Sequence, residues 1–273
     1  MKSLGVYVFI GCWLVINSPL GAGPKGLLRR AEAFAQNDAC MAELKSIYKK
    51  YKDITATGIP KDKVYYMNYS VNTATEDSTS TGILTSVVET WMDKENLEVR
   101  SKEMEVYQNG KEAFIVFPAK KMVVHNDAVS MDAKKTGNKV KRMQFIQDTL
   151  FSMSRISFCG NVNSTNGIFK RVVLQVNDKG RTMTNIGKIT FDINEKTKEF
   201  ESIKIQYSPK SKGLPGDVVW VEYVFNDVSF DYKGKEWPDN LSKNFLRSSS
   251  QLKEKYTGYE LVDNRKKVVK IPQ

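Results

Sequence analysis

Histidine, cysteine and paired carboxylates are the side chains that do most chemistry near neutral pH, and this sequence is sparing with them. It has one histidine, His125, and three cysteines, Cys12, Cys40 and Cys159. A three-histidine zinc centre is therefore excluded. His125-Asn126-Asp127 with Asp132 offers oxygen donors, but without the regular spacing of a calcium loop. No serine stands in a Gly-x-Ser-x-Gly setting, and no cysteine has the surroundings of a catalytic thiol. Two carboxylates across a cleft suffice for glycoside hydrolysis, and Glu89, Glu98, Glu105 and Glu222 are the acids that fall within strands. Alternation favours a solvent-facing place for each. The sequence therefore reads as that of a non-enzyme, with no cofactor and no metal site.

The elements that would position any site begin after an N-terminal secretion signal. Lys2 precedes an apolar run from Leu4 to Ile16, and the small residues of 17–23 supply an exit, so residues 1–23 are expected to be removed and the mature protein to act outside the cytoplasm. Beyond that run, no stretch reaches the roughly 18 apolar residues that a membrane-crossing helix needs. A helix is predicted over Gly26 to Asp53, because Leu27, Ala31, Phe34, Met41, Leu44, Ile47 and Tyr51 recur mostly at three and four residues. Asn37-Asp38 marks a break or a second helix start.

Strands follow. Tyr65, Met67, Tyr69 and Val71 alternate with Tyr66, Asn68 and Ser70. Further segments run over 83–92, 97–100, 104–107, 113–117, 122–125, 168–176, 186–193, 200–207 and 218–232. Asn109-Gly110 is the strongest hairpin signal, since both residues accept a positive φ. Asp178-Lys179-Gly180 reads as a turn. Between the strand groups, Val140, Met143, Ile146, Leu150 and Met153 predict a helix over 139–154. The fold class is thus mainly β (α+β), an antiparallel sheet with one apolar face that has to be covered. Residues 24–236 are expected to form one domain, and 237–273 a polar C-terminal extension.

Charge adds a partner class. The balance is 42 basic to 31 acidic residues, a net +11, with clusters at Lys49-Lys50-Tyr51-Lys52, from Lys134 to Arg142, and at Arg265-Lys266-Lys267. Such clusters suit anionic lipid headgroups or acidic polymers. Nucleic acid is set aside because the chain is expected to be secreted. Apart from Cys12, which lies within the signal, Cys40 and Cys159 are the pair available for one disulfide in an oxidising compartment. Two buried free thiols remain the other state open to them.

The segment Glu105-Val106-Tyr107-Gln108-Asn109-Gly110-Lys111, with Phe114 to Pro118 and Lys121 to Val124, resembles a hairpin of the periplasmic lipoprotein carrier (LolA-like) family. Ile189 to Asn194, Phe200 to Tyr207 and Tyr223 to Val228 resemble that family's closing strands. The resemblance covers about residues 27–235 in element order. It implies a half-open antiparallel β-barrel with an N-terminal helix and lid helices, a periplasmic carrier of lipid or lipoprotein acyl chains. The concave wall would be Ile189, Phe191, Ile193, Ile203, Ile205, Tyr207, Tyr223 and Phe225, with Met143, Ile146, Leu150 and Phe151 as the lid. The family's Arg-Pro signature is missing around Arg100, which is therefore not assigned that arginine's role. Expected partners are acyl chains and a membrane-associated protein, with the chain monomeric. The alternative is an envelope module whose filled sheet core only supports basic patches that bind a protein or an acidic polymer. N-terminal sequencing of the exported protein is expected to begin about 23 residues in; a chain that retains Met1 to Gly23 would overturn this.

Overall fold

The computed structural model describes residues 37–49, 59–76, 82–128, 150–164, 167–208 and 218–265. The signal segment and the lid residues Met143 and Ile146 lie outside these. Twelve strands form one sheet in the order β14-β6-β5-β4-β3-β2-β1-β11-β10-β9-β8-β7, and the two end strands do not pair with each other. These strands are β1 (Tyr65–Thr75), β2 (Leu84–Met92), β3 (Leu97–Arg100), β4 (Glu105–Gln108), β5 (Glu112–Phe117), β6 (Met122–Asp127), β7 (Ser154–Ser164), β8 (Gly167–Val176), β9 (Ile186–Asn194), β10 (Phe200–Tyr207), β11 (Val218–Ser229) and β14 (Glu260–Asp263). A separate small hairpin joins β12 (Leu246–Ser248) to β13 (Gln251–Leu252). The sheet is not wholly antiparallel, because β14 runs parallel to β6. The chain divides into two compact units, which draw on 1–57, 70–85 and 137–226 and on 58–69, 86–136 and 227–273.

In the first unit, α1 (37–49) buries Cys40, Leu44, Ile47 and Tyr48, the spacing of one helix face. The sheet face it meets is set by register. Leu174, Ile189 and Ile205 lie opposite one another, as do Val172, Phe191, Ile203 and Tyr223. The other face is polar: Arg171 grips Asp192 with two bonds of 2.7 and 2.8 Å, and Ser202 donates to the same carboxylate. Burying each large apolar residue on the inner face contributes roughly 1.5–3 kcal/mol.

The strand β7 escaped the sequence reading, and its irregularity explains why. Its pairing with β8 slips between Ile156 and Phe158, so Ile156 faces Leu174 but Phe158 faces Val173. Phe158 is thereby turned to the polar side and left exposed. The same slip brings Cys159 opposite Val172, on the face that α1 covers. Cys40 and Cys159 are joined there in a disulfide, with Cα atoms 6.5 Å apart.

The predicted turn at Asp178 is instead the start of a helix, α2 (Asp178–Thr184), in which the Asn177 side chain accepts from the Gly180 amide at 2.8 Å. The residues that make turns also cap helices. A Cβ at Gly180 would stand 2.5 Å from Val176 Cγ1, so glycine permits the close approach. The helix predicted over 139–154 has only its last turn among the described residues, and β7 begins at Ser154. At Asn109-Gly110 the hairpin forms, but neither residue takes a positive φ. The Asn109 carboxamide oxygen closes the turn by accepting from the amides of Lys111 and Glu112.

In the second unit the segment expected as an extension is part of the core. α3 (Ser242–Phe245) and the β12–β13 hairpin bring Leu241, Phe245 and Tyr256 onto Phe114, Val116 and Val123. Phe245 stacks on Phe114 at 4.4 Å and on Tyr256 at 5.5 Å. These anchors are too far apart in sequence to show a period, which is why the segment read as polar.

Replacing Cys40 by serine removes a link between residues 119 apart in sequence. It is expected to lower stability by about 2–5 kcal/mol, read from denaturant unfolding. No difference between C40S and the oxidised parent would refute the link.

Candidate functional site

The eight residues of the expected apolar wall lie on β9, β10 and β11 in the first unit, and their burial differs. Ile189, Phe191, Ile193 and Ile203 are buried, while Ile205, Tyr207, Tyr223 and Phe225 are half-buried. The covered end lies under α1 and the residues 150–151. Tyr48 meets Phe151 and Phe200 edge-on at 5.6 and 5.9 Å, and Phe151 lies 6.1 Å from Phe191. Leu150 and Phe151 are themselves buried. The half-buried residues are spread along β10 and β11: Ile205 lies opposite both Ile189 and Val221, Tyr223 opposite Ile203, and Tyr207 opposite Ile186 beyond a register irregularity. Burial pushes the Tyr207 phenol above its ordinary value, as an aromatic handle at the edge of an apolar surface requires.

Polar groups fix how α1 sits. Glu43 receives Lys170 at 2.5 Å and Lys198 at 2.8 Å. Burial raises the Glu43 carboxyl, but these two ammonium groups outweigh it, so the group stays below its ordinary value.

The four strand acids do not share one environment. Glu89 accepts from the Tyr66 hydroxyl at 3.2 Å, Glu105 from the Tyr107 hydroxyl at 2.9 Å, and Glu222 from Asn72 at 3.3 Å. Glu98 corrects the expectation of solvent-facing carboxylates, being only 5% exposed. Its two oxygens meet Lys235 and Arg100, each at 2.5 Å. Both cations also lie over the Trp91 ring, at 4.6 and 5.4 Å. Sequence alternation placed Glu98 on the outer side of β3; Lys235, 137 residues away, is what covers it.

His125 is fully buried. Register sets Trp91, Glu98, Tyr107, Phe114 and His125 in one row across β2 to β6. The His125 ring stacks on Phe114 at 3.9 Å, and its Nε2 lies 2.8 Å from Glu112 Oε2. Glu112 also accepts from the Ser242 amide at 2.8 Å and the Ser242 hydroxyl at 2.6 Å. An ionised carboxylate can only accept, so Nε2 carries the proton. The carboxylate is the hub of this cluster, while the His125 Nδ1 is buried without a hydrogen-bond partner among the described residues. Among the described residues no group of histidine, cysteine and acidic side chains could hold a metal ion.

No family model matches the chain, and no curated protein does. Solved structures show a distant similarity to it. An uncharacterised conserved protein from Thermus thermophilus is 8% identical at a TM-score of 0.38, over 79% of this chain and 98% of that one. A DUF1329 family protein from Desulfovibrio piger is 9% identical at 0.30, over 74% and 94%. A LolA superfamily protein from Nitrosomonas europaea is 11% identical at 0.28, over 71% and 94%. At this distance no residue corresponds to a residue, and only the chain's own side chains can carry a functional argument.

Burial raises the Glu112 carboxyl, yet the bonds from Ser242 and His125 outweigh it and hold it below its ordinary value. A carboxyl lowered by folding stabilises the protein above the ordinary carboxylate range and loses that contribution as pH falls through the lowered value. E112Q is therefore expected to cost about 1–3 kcal/mol at neutral pH. Its stability should also fall less steeply than the parent's between about pH 6 and about pH 3, as followed by chemical unfolding at each pH. An unchanged slope would show that Glu112 is not a source of acid sensitivity.

Proposed function

We propose that this protein is an extracytoplasmic carrier that holds an acyl chain of a lipid or lipoprotein on the apolar face of β9 to β11. The observation behind this reading is the fall in burial across that face, from Ile189, Phe191 and Ile193 on β9, through buried Ile203 and half-buried Ile205 and Tyr207 on β10, to half-buried Tyr223 and Phe225 on β11. An acyl chain laid along the half-buried side would extend a core that already exists. Each methylene removed from water there would contribute about 0.8 kcal/mol, so binding needs no charged contact. Leu150 and Phe151, with Met143 and Ile146 before them in sequence, would act as the lid that the chain displaces or slides beneath. A basic protein would be drawn to the anionic surface from which such a ligand is taken.

A disulfide between Cys40 and Cys159 fits an oxidising compartment, which supports a periplasmic setting after removal of the signal. No helix among the described residues is long and apolar enough to cross a membrane. The carrier would work as a monomer, without cofactor or catalysis, and pass its load to a membrane-associated protein. The burial of Ile193 and of Phe191, which lies against Phe151, also favours a second reading, an envelope interaction module with a filled core.

Native mass spectrometry and lipid extraction of gently purified mature protein would separate the two. The carrier predicts a stoichiometric acyl-containing adduct. It also predicts uptake of a fluorescent fatty acid that weakens at least about tenfold in I205D, where a charge would be forced against the chain. A clean apo mass with no uptake would overturn the carrier and leave the filled-core module.

A further inference from the structure

The second unit contains a cleft of about 470 Å³, lined by β3, β4 and the segment 235–255. Its size falls in the range of about 300–1,000 Å³ usual for small-molecule sites, and it shares no residue with the apolar strip of β9 to β11. Four cations line it, Arg100, Lys235, Lys253 and Lys255, against two carboxylates, Glu98 and Glu236.

The carboxylates do not neutralise these cations evenly. Glu98 is committed to Lys235 and Arg100 at the buried end, which fixes those two side chains in place. Lys255 lies over the rings of Tyr256 and Phe245 at 4.6 and 5.2 Å, and no ion-pair partner meets its ammonium or that of Lys253 among the described residues. Burial depresses the Lys255 ammonium, and the like charges of Lys253 and Arg100 depress it further against the pull of Glu105. Lys253 and Arg100 thus both lie close enough to act on the Lys255 ammonium. Trp237 is also in the lining, and its indole nitrogen is buried with no acceptor among the described residues. Like-charge repulsion at Lys255 and an orphaned donor at Trp237 are both costs that a bound anion with a second acceptor oxygen would relieve.

We infer that this cleft binds a small oxyanion-bearing molecule, its phosphate or carboxylate head held by Arg100, Lys253 and Lys255 and a further oxygen accepting from Trp237 Nε1. Guanidinium and ammonium groups provide charge-assisted bonds to such a head. The ligand is therefore polar and anionic, and it is not the acyl chain of the other unit.

Calorimetric titration of the mature, disulfide-bonded protein with glycerol 3-phosphate, D-glycerate and neutral glycerol tests this. One site per chain is expected for at least one of the two anions, with glycerol silent; the anion that binds more tightly identifies the head group. K253Q/K255Q, whose sites are exposed, should lose roughly tenfold or more in affinity. W237F, which keeps an aromatic ring and removes the donor, should lose roughly threefold to tenfold. K179Q/K196Q removes the same charge from exposed positions of the first unit and should stay within about twofold. Melting curves establish that each variant is folded. Absence of saturable binding by either anion, equal binding of glycerol, or equal weakening by K179Q/K196Q would each overturn the site.

Discussion

A sheet face that alternation leaves unfit for water has to be covered, and in both units of this protein the cover is brought from far along the chain. In the first unit, the rows through Ile189 and Phe191 are covered by α1 and by Leu150 and Phe151. In the second unit, the row Trp91, Glu98, Tyr107, Phe114 and His125 carries charge as well as aromatic surface. An apolar lid would leave that charge unpaired, a far larger cost than a lost methylene. The segment after Gly234 meets the row in kind, with Lys235 for Glu98 and Phe245 for Phe114. Ser242 reaches Glu112, the carboxylate bonded to His125. Each cover is specified by the face it covers.

The buried polar pairs set register and position. Arg171 and Asp192 are opposite residues of β8 and β9, so their two-pronged bond holds only in the observed pairing. A one-residue slip would turn both strands inside out. The slip that does occur, in β7, is local and serves a purpose, because it turns Cys159 toward Cys40. Glu43 between Lys170 and Lys198 then sets the rotation of α1 over the same strands. Such clusters add little net stability when both partners come out of water, and breaking one side of them is costly. They decide which of many apolar packings is adopted.

This arrangement bears on function through contrast. The first unit concentrates apolar surface whose cover thins toward Ile205, Tyr207, Tyr223 and Phe225. The second concentrates cations around a cleft built by its own cover. The two proposed sites are therefore chemically distinct, an apolar strip in one unit and a cationic cleft in the other.

The strands β8 to β11 and the buried stripe of α1 were legible in the sequence. A period of two or near 3.6 is a local property that survives without knowledge of the fold. The scarcity of catalytic residue types was legible for the same reason. What only the tertiary structure decided were long-range matters: the burial of Glu98 by Lys235, the parallel pairing of β14 with β6, and the recruitment of Leu241, Phe245 and Tyr256 into a core. The phase slip that turns Cys159 beneath α1 and the helical outcome at Asn177 to Gly180 belong with them. Each depends on a partner many residues away, or on residues whose chemistry serves turns and caps alike, and no local pattern encodes which partner arrives.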